Sequence, residues 1–422
     1  MVRKTRPIRF AVLPALILSL FSCDLWNTPD TTEGRATAPK REILVVHSLA
    51  ETLSSVELAP DGSFLGGTGD IVRLGSVPNG IIDVGYELAV TLSGENRVLF
   101  LDRERLFRRA PLDLGTGVNP MQTRAFGPGA SVFATTGLFS ARVHLRGRDG
   151  TVLVPDAEMQ TGLSPQAILP LPGSGGGTAG TGTVRLVVAN TAYSAGRPAD
   201  IPFGPATLTV FTLTLSGTAA APQVSLDSSK LVELEESDHN PETESGLNPV
   251  ALLDMNTIDP AINEILVIGS GINYGSGGSG ADDGTLLVLD RTTLEVKQRI
   301  PLGGSPGAAI VMERDDGGLV LLMAGTDGIR SLRSAPGEPA GTNGWDPSTL
   351  ATEYTATGGL PFLADIVSWG DQVYVADFGN NQVLRFTFNG DVASGAPGNL
   401  LDGPLERRNV SDGPVALLVR SD

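Results

Sequence analysis

Three aspartates recur at nearly the same place in a repeated segment. Asp83 and Asp254 stand five residues after a proline, in Pro78-Asn-Gly-Ile-Ile-Asp83 and Pro249-Val-Ala-Leu-Leu-Asp254, and Asp365 stands four after Pro361. Carboxylates gathered into a ring by a repeat can hold a divalent cation or divide acid and base roles between them. The plainer reading is that each accepts backbone N–H groups in the turn after a strand, as Asx turns do. A second cluster lies in residues 233–244, Glu-Leu-Glu-Glu-Ser-Asp-His-Asn-Pro-Glu-Thr-Glu, where Asp238, His239, Glu242 and Glu244 are candidate cation ligands. Their spacing is not that of an EF-hand, so a solvated acidic loop is the simpler expectation. The histidines are His47, His144 and His239, far apart in sequence, with His47 expected as a satisfied core or edge residue. No His-Glu-x-x-His and no cysteine nucleophile is present. The Gly-rich runs at 173–177 and 275–280 lack the Lys-Ser/Thr of a phosphate loop. Trp345 and Trp369 lie in or near loops and are candidates for a ligand mouth or for packing between repeats. No catalytic residue is assigned, and no cofactor beyond a divalent cation is expected.

What must position these groups is a cadence of prolines. Pro78, Pro120, Pro165, Pro249, Pro306, Pro361 and Pro414 each open an apolar run, at separations of 42, 45, 84, 57, 55 and 53 residues. Short Val-, Ile-, Leu- and Thr-rich runs alternate with Gly, Asp, Asn and Pro from Glu42 onward, which reads as many short strands joined by tight turns. A strand-rich repeat of roughly 40–50 residues predicts a propeller array. In residues 77–115 the expected strands are Pro78 to Asp83, Tyr86 to Leu92, Val98 to Leu101 and a short outer strand at 112–114. Residues 360–391 repeat the plan, with Pro361 as opener and Asp365 ending the first strand. Gly-x-Asn-x-Val occurs at Gly94, Asn96, Val98 and again at Gly379, Asn381, Val383, where Gly and Asn tolerate the positive φ of a tight hairpin.

Seven openers predict seven blades. The last, Pro414-Val-Ala-Leu-Leu-Val-Arg, has no room for further strands, and the strands of residues 42–74 have no opener. The expectation is an all-β, seven-bladed β-propeller whose C-terminal strand joins the N-terminal blade and closes the ring. The long interval 165–249 is read as one blade with a flexible Gly/Ser insertion; an eighth blade hidden there is the alternative. Residues 372–386, Gln-Val-Tyr-Val-Ala-Asp-Phe-Gly-Asn-Asn-Gln-Val-Leu-Arg-Phe, resemble an NHL repeat. Residues 88–102 and 284–302 resemble the related YVTN-type repeat of bacterial surface and periplasmic propellers. These resemblances imply a fold and leave activity open.

The first 22 residues carry Arg3, Lys4, Arg6 and Arg9, then an apolar stretch from Phe10 to Leu20. That is the pattern of an export signal, too short to span a bilayer. Leu20-Phe21-Ser22-Cys23 is similar to the bacterial lipobox, in which the cysteine receives a lipid, and Cys23 is the chain's one cysteine. The expected organisation is a lipoprotein signal peptide at 1–22, a lipidated disordered tether at 23–41 and a β-propeller at 42–422. The chain would be exported and anchored to the cell envelope through the Cys23 lipid, with the choice of inner or outer membrane left open. Removing residues 1–22 takes the formal charge from −17 to −21, which repels nucleic acid and anionic headgroups.

Propellers serve as scaffolds and as enzymes, so the fold cannot choose between them. The first expectation is a non-enzymatic envelope lipoprotein, a monomeric domain that binds a protein partner through a propeller face. The alternative is a lactonase-like propeller hydrolase with a metal held by channel carboxylates. A soluble-ligand or carbohydrate binder using the Gly-rich insertions is a third.

Overall fold

Runs such as Ile43-Leu44-Val45-Val46 and Glu264-Ile-Leu-Val-Ile-Gly269 are too short for buried helices and apolar on both sides of the chain. Such runs become strands sandwiched between two neighbours. The computed structural model describes residues 41–173, 182–194, 204–235, 247–271, 284–334, 344–358, 362–390 and 399–421, and in it these runs are the second strands of seven radially arranged sheets. From the axis outward, blade 1 is Pro414–Ser421, Arg41–His47, Thr52–Leu58 and Phe64–Arg73. Blade 2 is Pro78–Asp83, Glu87–Leu92, Arg97–Asp102 and Arg108–Asp113. Blade 3 has three strands, Pro120–Phe126, Val132–Gly137 and Arg142–Gly147. Blade 4 is Pro165–Pro172, Gly182–Asn190, Thr207–Thr218 and Ala221–Glu233. Blade 5 is Pro249–Asp254, Glu264–Gly269, Thr285–Asp290 and Val296–Pro301. Blade 6 is Pro306–Glu313, Leu319–Gly325, Gly328–Ser334 and Trp345–Thr355. Blade 7 is Leu363–Trp369, Gln372–Asp377, Gln382–Phe388 and Leu401–Asn409.

Each inner strand touches the inner strands of the two adjacent blades, so the seven close a ring. The apolar core is divided into seven wedges, one per pair of adjacent blades. Strand alternation explains how one strand feeds two wedges: Ile43 and Val45 pack toward blade 7, while Leu44 and Val46 pack toward blade 2. The C-terminal strand pairs antiparallel with the N-terminal one, from Arg41 opposite Ser421 to Val46 opposite Ala416. Buried Arg420 pairs with buried Glu42 across this seam, and Ser55 donates to the same carboxylate. The long interval after Pro165 is one blade, lengthened by third and fourth strands of 12 and 13 residues; its Gly-rich run beyond Gly173 lies outside the described residues.

Two local devices recur. The second residue of every inner strand is a bulge, skipped by the pairing: Asn79, Gln166, Val250, Gly307, Ala364 and Val415, with Met121 and Gln122 both skipped in blade 3. In addition, the residue before each opener offers its carbonyl to the turn between the second and third strands. The donors are the N–H groups of Ser48, Ser93, Leu138, Thr191, Ser270, Thr326 and Phe378, and the acceptors Gly413, Val77, Asn119, Ser164, Asn248, Ser305 and Phe362. These seven bonds put the openers and those turns on one face of the ring. Asn96 and Asn381, both at positive φ, extend the tie to the next blade by accepting from Asn119 N (2.8 Å) and Gly413 N (2.9 Å). The Gly-x-Asn-x-Val pattern is thus a blade-to-blade joint as well as a turn.

Blade 7 corrects the identity of one opener. Its inner strand begins at Leu363, which pairs with Asp377 as Pro78 pairs with Leu92. Leu363 therefore fills the place that proline holds elsewhere, and Pro361 lies outside the described residues.

Candidate functional site

The three repeat aspartates do not form a ring. Asp83 and Asp254 end their inner strands on the face away from the openers. Asp83 accepts from Gly85 N (2.8 Å) and from Arg103 Nε (2.9 Å). Asp254 accepts from Asn256 N (3.2 Å) and from Arg291 Nε and Nη2 (2.9 and 3.1 Å). Each is an Asx turn closed by the arginine of an Asp-Arg pair that ends the third strand of its own blade. Asp365 is different in kind. Because its blade opens at Leu363, it stands at the second position after the opener, where blades 1, 2, 5 and 6 carry Ala416, Gly80, Ala251 and Ala308. Its carboxylate accepts Leu417 N (2.7 Å) from the closing strand and Ile366 N (2.9 Å). Burial pushes this carboxyl up to about 6, against the pull of those two N–H groups and of Arg124.

Asp365 and Arg124 face a central cavity of about 360 Å³. Six of the seven inner strands line it, mostly with small or aliphatic residues such as Gly80, Val250, Ala251, Ala308 and Val415. Arg124, on blade 3, and Asp365, on blade 7, stand three blades apart and are the only charged side chains among its described lining residues. Dehydration draws the Arg124 guanidinium below its ordinary value, and Asp365 works the other way. No ion pair joins them; the one bond of the Arg124 guanidinium among the described residues is Nη1 to the carbonyl of Thr123, at 3.4 Å. Nearby, Gln122 Oε1 accepts Ile168 N (2.7 Å) from blade 4, and Asn79 Nδ2 donates to Pro120 O (3.1 Å).

A second constellation lies in blade 3. Ser140 Oγ is 3.1 Å from His144 Nε2, and His144 Nδ1 is 2.9 Å from Asp156 Oδ2. Gly137 permits the approach, since a Cβ there would sit 2.2 Å from Ser140 Oγ. The order hydroxyl, imidazole, carboxylate is that of a nucleophilic relay. Its electrostatics are not. Arg146 grips both oxygens of Asp156 at 2.7 Å, and its Nη2 lies 3.5 Å from His144 Nδ1. Burial lowers the His144 pKa, Asp156 opposes this, and Arg146 and Arg142 add to it. The carboxylate that would stabilise an imidazolium is already neutralised by a guanidinium. The cluster instead fastens the irregular segment after Gly147 to the third strand of blade 3, which lacks a fourth. The sequence signal, Ser140-x-x-x-His144 with an aspartate twelve residues on, is too generic to find without the hairpin that folds it.

The remaining candidates disperse. His47 is buried, with Nε2 2.7 Å from Ser54 Oγ. Trp345 is buried in the wedge between blades 5 and 6, and Trp369 packs at the blade 7–blade 1 wedge with Arg41 over its ring at 5.0 Å. Neither opens a ligand mouth. Asp238, His239, Glu242, Glu244, Cys23 and the run at 275–280 lie outside the described residues. Among the described residues no three His, Cys, Asp or Glu side chains gather as a cation site, and no helix is long and apolar enough to cross a membrane.

No protein-family model matches the chain, and no curated protein matches it in sequence. Solved structures do. A candidate 6-phosphogluconolactonase from Bacteroides uniformis superposes at TM-score 0.55 with 16% identity, over 91% of this chain and 100% of its own. A candidate 6-phosphogluconolactonase from Bacteroides fragilis gives 0.51 and 13%, over 92% and 100%. A functionally unknown protein from Desulfotomaculum acetoxidans gives 0.52 and 10%, over 90% and 98%. At such identities the likeness concerns the fold alone. The chain is a seven-bladed β-propeller, closed by its C-terminal strand.

Proposed function

We propose that this chain is a cell-envelope lipoprotein, anchored through Cys23, whose propeller binds a protein partner on the face that carries the openers. The observation that supports this reading is a set of large apolar side chains exposed on that face. Leu49, Val77, Phe139, Leu163, Tyr193 and Phe362 all belong to the openers' approach loops or to the turns bonded to them. Phe139, Leu163 and Tyr193, on adjacent blades 3 and 4, are 70%, 57% and 42% exposed. Exposed apolar side chains grouped on one surface mark contact sites. The formal charge of −21 favours a partner whose apolar segment is flanked by basic residues. The opposite face exposes Tyr86, Phe107, Val152 and Ile258, and supplies a control.

The test is cross-linking in cells with a tagged chain, comparing Phe139→Ser/Leu163→Ser with Tyr86→Ser. A defined partner retained by Tyr86→Ser, lost by the double variant and reduced by Cys23→Ser supports the reading. Equal capture by the two face variants overturns it. The lactonase-like alternative, suggested by what two structural neighbours are named, requires carboxylates converging on the channel. The described channel offers one, facing a guanidinium, which is a poor cradle for a cation.

A further inference from the structure

We propose that the central channel holds a small organic carboxylate, bound through the guanidinium of Arg124. The inference is independent of the partner-binding face. It rests on an imbalance inside the ring. A half-buried guanidinium that faces the cavity and makes a single 3.4 Å bond to a carbonyl leaves most of its donor fork open to an anion. Five other arginines with enclosed head groups are each paired with a carboxylate: Arg146 with Asp156, Arg291 with Asp254, Arg314 with Asp316, Arg385 with Glu406 and Arg420 with Glu42. Arg124 has no such carboxylate partner among the described residues, and it faces the central cavity.

The walls select among anions. Arginine presents parallel N–H groups that match a carboxylate in two-point contact. Beside it, Gly80, Val250, Ala251, Ala308, Ala364 and Val415 give a smooth apolar lining suited to a short hydrocarbon body. Gln122 and Asn79 are tied to backbone groups of neighbouring strands, which fixes the wall without filling the cavity. Asp365 sets a pH dependence. Its carboxyl titrates near 6, and the only other charged group facing the cavity from the described inner strands is Arg124 itself. Below that value Asp365 is neutral and does not oppose an incoming anion; above it the charge repels one.

The experiment uses the full propeller with butyrate as probe and butyramide as its neutral counterpart, read by isothermal titration and by the shift in melting temperature. Saturable butyrate binding is expected, at least threefold tighter at pH 5.5 than at pH 8, with no response to butyramide. Arg124→Gln should abolish it, and Arg124→Lys should retain a weakened response, which guards against a variant that merely misfolds. Asp365→Asn should flatten the pH profile at the tighter level. Binding that survives Arg124→Gln in a folded protein, or equal binding of butyramide, overturns the proposal. So does a complete absence of butyrate binding at pH 5.5.

Discussion

Blades 1 and 3 both depart from the four-stranded meander of the other five, and they are completed by different physics. Blade 1 lacks an inner strand of its own and recruits one from the far end of the chain. The recruit brings backbone pairing over most of its length and apolar side chains, Ala416 and Leu417, that enter two separate wedges. Blade 3 lacks an outer strand and covers the exposed edge with an irregular segment. That segment is held by two isolated bridges, by buried Val154 and Met159, and by the carboxylate of Asp156. The first solution is cooperative with the whole ring, because opening it frees the edges of blades 7, 1 and 2 together. The second is more local: the segment's contacts end at the two adjacent blades, with Val154 and Met159 in the wedge shared with blade 4 and Arg148 paired with Glu87 of blade 2, and no strand from elsewhere in the chain is involved.

The comparison breaks most visibly at the seam. Deleting 412–422 should remove the cooperative unfolding transition of the whole domain, as read by calorimetry; an unchanged melting temperature would show that the seam does not close the ring. Arg420→Met leaves buried Glu42 without its partner and should cost about 3–5 kcal/mol. Adding Glu42→Leu should recover most of that loss, since the pair then disappears together with its desolvation penalty. In blade 3, Asp156→Ala should cost about 2 kcal/mol, because Arg146 and His144 lose charge-assisted bonds at a partly solvated site. Hydrogen exchange should localise the second loss to residues 142–160, while the first should spread around the ring.

Acid and base should separate the two regions. Asp365 belongs to the seam, since it accepts from Leu417 of the closing strand. Its folded pKa, about 6, lies above the unfolded value near 3.9, so its stabilising share is complete below pH 4 and is lost as pH rises toward 6. The difference of about 2 units corresponds to about 3 kcal/mol, part of which Asp365→Asn should return above pH 7, since its amide oxygen can keep only one of the two backbone N–H bonds. Asp156 runs the other way. Partial burial tends to raise it, but Arg146 and His144 prevail and hold it below the usual carboxylate range. Its share is present above about pH 4 and is lost on further acidification. His144, lowered mainly by burial, adds to this by favouring the unfolded chain as pH falls below about 6.5. Melting curves of Asp365→Asn and Asp156→Asn across pH 3–8 should therefore diverge from the parent at opposite ends; divergence at the same end would undo the contrast.

These regions also differ in what the sequence could reveal. The seam was legible because the chain repeats itself: a last opener without strands and first strands without an opener can only complement one another. The same repetition misled at Asp365. Counted from Pro361 it matched Asp83 and Asp254, yet the structural opener is Leu363, an apolar residue with no mark to distinguish it. An aspartate that closes a turn and one that faces the axis differ by three places along a strand, and composition does not register that shift. Blade 3 was less legible still, since polar groups that replace a strand obey no period. Arg124 escaped notice for the related reason that nothing in Gln-Thr-Arg-Ala-Phe says which side of an inner strand meets the cavity.

The smallest expected effect bears on whether the blade 3 cluster is only a fastening. Ser140→Ala removes a hydroxyl that is bonded to His144 and to Gly137 O (3.2 Å) at a partly exposed turn, and should cost under about 1 kcal/mol. A fluorophosphonate should leave Ser140 unlabelled at pH 8, because taking the hydroxyl proton would turn the neutral His144 into an imidazolium, which burial and Arg146 both disfavour. Stoichiometric labelling of the parent, lost in Ser140→Ala and in His144→Gln, would mean that the relay works despite Arg146. Blade 3 would then be a catalytic blade, and its missing outer strand the opening through which substrate arrives.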